Sequence, residues 1–78
     1  MTVLDRLNTI FREVLEDDGI SLAPETTAAD VAGWDSLSHV QIILAVERAF
    51  GLRLRASEIS GLENVGAFVA LLERKIAA

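Results

Sequence analysis

Apolar side chains recur three and four residues apart in three separate stretches of this chain. Leu-Arg-Leu-Arg at 52–55 alternates, but four residues make a poor strand, and it reads as extended loop. A period near 3.6 admits helices and leaves no material for strands. The first stretch carries Val3, Leu4, Leu7, Ile10, Phe11, Val14 and Leu15 on one face. Thr2 is a suitable N-cap for it, with Asp5 as capping-box partner, and Gly19 a suitable residue just past its end. The second stretch opens at Asp35 or Ser36 and runs to about Phe50, where Gly51 stops it. Asp35 suits the N-cap, because its carboxylate can accept from an otherwise orphan N–H. The third stretch follows Asn64, with Val65, Phe68, Val69, Leu72 and Ile76 inward and Arg74 and Lys75 at the negative end of the helix dipole.

Between these, "ASEISGL" reads as a short helix at about 57–61, capped near Ala56 or Ser57. Residues 18–35 read as a long loop, with the chain's one proline, Gly19 and Gly33. Loops of that length in small domains tend to be functional or to hold a turn of their own, and "AADVAG" suits such a turn. The predicted fold class is all-α. It is a small antiparallel four-helix bundle with three main helices, one short helix and a long first loop, forming a single domain over 1–78.

Composition narrows what such a bundle can do. With 78 residues, no cysteine and one histidine, it has no disulfide and no thiolate metal site, and zinc is disfavoured. Its stability must come from packing, for which 51% hydrophobic residues are adequate. The net charge of −5 is uneven: residues 1–35 hold 8 acids and 2 bases, residues 36–78 hold 4 and 5. An acidic chain is a poor nucleic-acid partner. No apolar run approaches the ~20 residues that span a bilayer, and "MTVLDRLNTIF" lacks the basic start of a signal peptide. The expectation is a soluble, cytoplasmic monomer.

The chemistry concentrates in "GWDSLSHVQ" at 33–41. Ser36 falls in the first turn of the second helix, near free N–H groups and the positive end of the dipole. A phosphate ester on its hydroxyl would be stabilised there. Gly33 keeps the approach open, and Leu37 offers an apolar contact beside the attachment point. The plainer reading is that Asp35 caps the helix and Ser36 is ordinary first-turn sequence. Nucleophilic catalysis by Ser36 with His39, three residues on, lacks a third orienting group and an oxyanion hole. His39 then reads as a surface or partner-contact residue. Trp34 reads first as packing under the loop. "EDDG" at 16–19 lacks the alternating oxygen ligands of a calcium loop.

The second helix is apolar on two sides. Ile42, Val46, Ala49 and Phe50 form one stripe, and Leu37, Val40 and Leu44 another. One stripe serves a core; the second is buried too or awaits a partner.

Taken together, these residues resemble the acyl carrier proteins. The resemblance runs through "GWDSL" at 33–37, "VQIILAVERAFGLRL" at 40–54, the following "SEI" and the closing helix after "LENV". Asp-Ser-Leu alone is weak. Asp-Ser-Leu opening a helix that ends in Glu-x-x-Phe-Gly, mid-chain in a short acidic protein, is specific. The resemblance implies that Ser36 receives 4′-phosphopantetheine from coenzyme A, through a separate magnesium-using phosphopantetheinyl transferase. It implies that the thiol of that arm carries acyl groups as thioesters, and that the domain catalyses nothing itself. Asp35 and Leu37 match the residues flanking the attachment serine. Leu37, His39, Val40, Gln41, Leu44, Glu47 and Arg48 would meet partners: the transferase, an acyl- or aminoacyl-loading ligase, and downstream synthases or transferases. Ile42, Val46, Phe50, Leu54, Ile59, Leu62 and Phe68 would line any acyl cavity, or simply pack. No metal site is expected.

The departures point away from the housekeeping fatty-acid carrier. Gln41, Arg48 and Ala49 stand where acids are common in that group, and Glu47 is the one acid in residues 37–50. Arg53 and Arg55 add positive charge just beyond. Ala28 and Ala29 are small where a larger apolar residue often helps line the pocket. A carrier of a specialised pathway fits better. An aminoacyl or peptidyl carrier is the nearest alternative, and an unmodified helical interaction module a further one.

Overall fold

A computed structural model of the chain describes residues 2–77, and the regular structure among them is all helical. The helices are α1 (Val3–Val14), α2 (Ser36–Phe50), the short α3 (Ala56–Ile59) and α4 (Val65–Ala77), with one 3₁₀ turn at Ala28–Asp30 in the long loop. That turn falls in the "AADVAG" segment. The short helix begins one residue earlier than the sequence suggested, with Arg55 at its cap position and the Arg55 N–H donating to Glu58 Oε1 at 2.8 Å.

α1 begins as its sequence requires. The Thr2 hydroxyl accepts from the Asp5 N–H, and the Asp5 carboxylate accepts from the Thr2 N–H, each at 3.1 Å. Its other end differs from expectation. Glu16, not Gly19, takes the left-handed conformation, at φ 52°. The Asp17 N–H then closes back on the Arg12 carbonyl at 3.0 Å, a Schellman-type ending with a non-glycine at its turning residue. Gly51 closes α2 as foreseen. It sits at φ 65°, and the Leu52 N–H returns to the Glu47 carbonyl at 3.2 Å.

The core is built on Leu7, Ile10 and Phe11 of α1, Ile42, Ile43 and Val46 of α2, and Val65, Phe68, Leu71 and Leu72 of α4. Leu54 completes it, along with Ile20 and Leu22 from the loop, which carries no periodic pattern. Four residues change place relative to the sequence reading. Ala49 is exposed and Ile43 is buried, so the inner face of α2 is turned toward residues 42, 43 and 46. In α4, Ile76 is half exposed, and Leu71 is buried instead.

α1 also grips the far end of α2. The Arg6 guanidinium lies 3.9 Å above the Phe50 ring and donates to the Ala49 carbonyl at 2.6 Å. A cation there satisfies a terminal carbonyl and complements the dipole of α2.

The loop is held by main-chain bonds as well as by its two buried side chains. The Leu22 N–H donates to Asn8 Oδ1 at 2.7 Å, and Arg12 Nε donates to the Ile20 carbonyl at 2.7 Å. Further on, the Thr26 carbonyl accepts from the Val65 N–H at 2.8 Å, and the Pro24 carbonyl from the Gly66 N–H at 2.7 Å. The loop therefore ties α1 to the start of α4 before it delivers the chain to α2.

Candidate functional site

α2 opens on a reciprocal cap. Asp35 Oδ1 accepts from the Ser38 N–H at 3.0 Å, and the Asp35 N–H donates to Ser38 Oγ at 2.8 Å. The Ser38 hydroxyl in turn donates to the Gly33 carbonyl at 2.6 Å. Ser38 is the one buried polar side chain among the described residues, and these bonds account for its burial. They hold Asp35 as acceptor, and its carboxyl lies below the usual carboxylate range. The largest cause is the Ser38 N–H, followed by the Ser38 hydroxyl. The Asp-x-x-Ser spacing of 35–38 could have revealed this role for Ser38, which sequence reasoning passed over. Gly33 makes the bend into the cap with φ 86°.

Ser36 stands between these two engaged residues and is itself exposed. No described residue bonds its hydroxyl or accepts from its N–H. Beside it lies an open cleft of about 450 Å³, lined by Ala28, Trp34, Asp35, Ser36 and His39. The arrangement leaves an exposed hydroxyl in the first turn of a 15-residue helix, with the Ser36 N–H free and room alongside. These residues fit a phosphate ester on Ser36.

His39 shares the cleft with Ser36 but is engaged by Trp34. The Trp34 indole N–H donates to His39 Nδ1 at 3.0 Å, and the two rings lie nearly parallel, 23° apart with centroids at 6.0 Å. Trp34 meets Phe11 edge-on, with centroids 4.8 Å apart. Trp34 is thus packed under the loop, as its lone occurrence suggested, and His39 is bound to it rather than poised as a base on Ser36.

The second apolar stripe of α2 is unburied. Leu37 is 71% exposed, Val40 56% and Leu44 54%. Gln41 and Arg48 are exposed beside it. Glu47 is withdrawn from this surface, since its Oε2 accepts from the Leu54 N–H at 2.8 Å and pins the turn after Gly51. The residues expected to border acyl cargo are packed together. Ile42, Val46 and Phe68 are fully enclosed, Leu54 is buried, and Phe50, Ile59 and Leu62 pack against the same cluster.

Comparison with known proteins gives the family. A family model described as a phosphopantetheine attachment site matches residues 5–72. The acyl carrier protein of Helicobacter pylori is 29% identical over 73 residues, covering 94% of each chain. That of Thermosynechococcus vestitus is 29% identical over 76 residues, covering 97% of this chain and 94% of its own. The solution NMR structure of holo acyl carrier protein from Geobacter metallireducens superposes with a TM-score of 0.92 at 42% identity, covering 99% of this chain and 88% of that one. With an all-helical fold, a capped α2 and a family match across most of its length, the chain belongs to the acyl carrier proteins, non-catalytic carriers of covalently attached 4′-phosphopantetheine.

Proposed function

We propose that Ser36 is the attachment residue, and that the protein carries acyl groups as thioesters on the arm for the enzymes of a specialised biosynthetic pathway. The observation that carries the assignment is the contrast within one turn of helix. Asp35 and Ser38 are each committed to the other, while the Ser36 hydroxyl between them is exposed and unbonded. The arm would supply the thiol that this cysteine-free chain lacks. Ser36 would hold it, the free N–H of the first turn would face its phosphate, and Leu37 would flank it.

The bare stripe of Leu37, Val40 and Leu44 supports a partner surface, since a few apolar anchors usually dominate such contacts. Its neighbours Gln41 and Arg48 support partners other than those of an acidic second helix. The partners in this reading are the phosphopantetheinyl transferase, a loading ligase and downstream synthases or transferases, acting in the cytoplasm on a monomeric carrier. Among the described residues no helix is long and apolar enough to cross a membrane. The closed core supports acyl cargo that either stays outside or enters by displacing Ile42, Val46 or Phe68. An aminoacyl or peptidyl cargo uses the same arm, and loading assays against adenylating enzymes and acyl transferases separate the two.

Intact mass after incubation with coenzyme A and a broad-specificity phosphopantetheinyl transferase tests the site. One arm should be added to the native chain and none to Ser36→Ala. A folded native chain left unmodified beside an active control carrier would refute the assignment. Val40→Glu should cost less than about 0.5 kcal/mol of stability, as exposed substitutions do, while slowing partner turnover.

A further inference from the structure

Three aromatic rings run from the core to the cleft beside Ser36. Phe11 is fully buried, Trp34 lies edge-on to it, and His39 lies nearly parallel to Trp34. An indole N–H can only donate, so His39 Nδ1, 3.0 Å away, must accept and carries no proton. A neutral imidazole then holds its proton on Nε2. That nitrogen bonds to none of the described residues, and His39 lines the same cleft as Ser36. Residues three apart on a helix are neighbours on its surface, which puts the two side chains side by side. Asp35 is the other titratable group lining the cleft. Its carboxylate accepts from the Ser38 N–H and makes no hydrogen bond with the imidazole among the described residues.

We propose that His39 is a positioning residue for the arm: its Nε2–H, fixed in that tautomer by the Trp34 indole, donates a hydrogen bond to the phosphodiester of a phosphopantetheine carried on Ser36. The inference rests on the reading of Ser36 as the attachment residue. It adds a second, side-chain donor to the backbone N–H of the first turn. A phosphodiester held from two sides swings less freely about the serine, so the arm leaves the protein in a narrower range of directions. Trp34 contributes at one remove. Without its N–H, both tautomers of His39 become available and the donor is no longer fixed.

The test is NMR on the ¹⁵N-labelled full chain, before and after modification, with modification verified by intact mass. Long-range ¹H–¹⁵N spectra should show an unprotonated Nδ1 and a protonated Nε2 in both forms. Exchange of the Nε2 proton with water should be roughly fivefold slower in the modified protein, the effect of one added hydrogen bond. The ³¹P resonance should move in modified His39→Ala and return toward the native position in His39→Gln, whose amide restores a donor. Trp34→Phe keeps an aromatic ring against Phe11 and should bring up the Nδ1-protonated tautomer. Unchanged proton exchange on modification, together with a ³¹P resonance indifferent to His39→Ala, would overturn the proposal. Persistence of a pure Nε2–H tautomer in Trp34→Phe would remove Trp34 from it. A native chain that takes no arm would show in the mass spectrum, and would refute the Ser36 reading and this inference together.

Discussion

The two long helices that follow the loop begin in opposite ways. At the start of α4 the early N–H groups are all taken. Val65 donates to the Thr26 carbonyl, Gly66 to the Pro24 carbonyl and Ala67 to Asn64 Oδ1, at 2.8, 2.7 and 2.8 Å. At the start of α2 the cap engages Ser38, the Ser36 N–H has no partner among the described residues, and a cleft lies alongside. Both starts have the same partial positive charge. The loop seals one with its own carbonyls and leaves the other open next to an exposed hydroxyl. A helix start is therefore no site by itself; what distinguishes α2 is that the loop, which could have covered it, covers α4 instead.

Breaking the sealed end should have the largest effect on stability and little on modification. A Cβ at Gly66 would come within 2.9 Å of the Pro24 carbonyl oxygen and 3.3 Å of the Pro24 Cβ. Gly66→Val must push the loop off α4, at an expected cost of about 2–3 kcal/mol, typical of overpacking. In a chain of this length each kcal/mol lowers the melting temperature by about 4–8 °C. Thermal melts give the loss, and the variant should still accept the arm below its transition. A melting temperature equal to the native one would mean that the loop is not fastened to α4.

Ser38→Ala attacks the open end from beneath. It removes the hydroxyl that accepts from the Asp35 N–H and donates to the Gly33 carbonyl. The expected loss is about 1–2 kcal/mol, because the groups left behind are partly buried. Unlike Gly66→Val, this variant should also slow modification, since it loosens the turn that presents Ser36. Denaturant midpoints and the rate of arm transfer read the two effects. Asn64→Ala, which removes the side-chain cap at the sealed end, should cost about 1 kcal/mol, the usual worth of a cap. It should leave the transfer rate alone.

The open end was far more legible in the sequence than the sealed one, and the reason is range. Asp35, Ser36 and Gly51 declare the limits of α2 within a few residues, because caps and stops are local chemistry. The seal on α4 is made by the carbonyls of Thr26 and Pro24, some forty residues upstream, and a main-chain acceptor carries no residue signature. Ile20 and Leu22 were missed as core for a related reason: a loop has no period to betray an inward side chain. The end of α1 misled because Gly19 is the better left-handed residue, yet the Arg12 carbonyl already meets the Asp17 N–H when Glu16 turns. At the site itself, the place of Ser36 in the first turn of α2 and the second stripe of Leu37, Val40 and Leu44 could be read from pattern, but the exposure of that stripe could not. Nor could the hydrogen bond from Trp34 to His39, since five residues across a helix start fix no geometry without the bend at Gly33.

Acid should separate the two helix starts with the smallest perturbation. The cap of α2 is a carboxylate, and that of α4 is an amide that does not titrate. Ser38 holds the Asp35 carboxyl below its ordinary value of 3.8 in the folded chain. A carboxyl with a lowered folded pKa adds stability that is complete above the unfolded value and is lost as pH falls through the folded one. Asp5 at the start of α1, lowered chiefly by the Thr2 N–H, has the same sign. Glu58, lowered chiefly by its 2.8 Å contact with Lys75, has it too. Stability should be flat near neutrality and decline below about pH 4. Within that window the Ser38 amide should lose its protection, measured as exchange relative to the intrinsic rate at each pH, before the Ala67 amide does. Asp35→Asn keeps a competent cap and should abolish that early loss while leaving neutral-pH stability little changed. Equal loss of protection at Ser38 and Ala67 in the native chain would show that acid unfolds the bundle as one unit, and that the open start of α2 is no looser than the sealed start of α4.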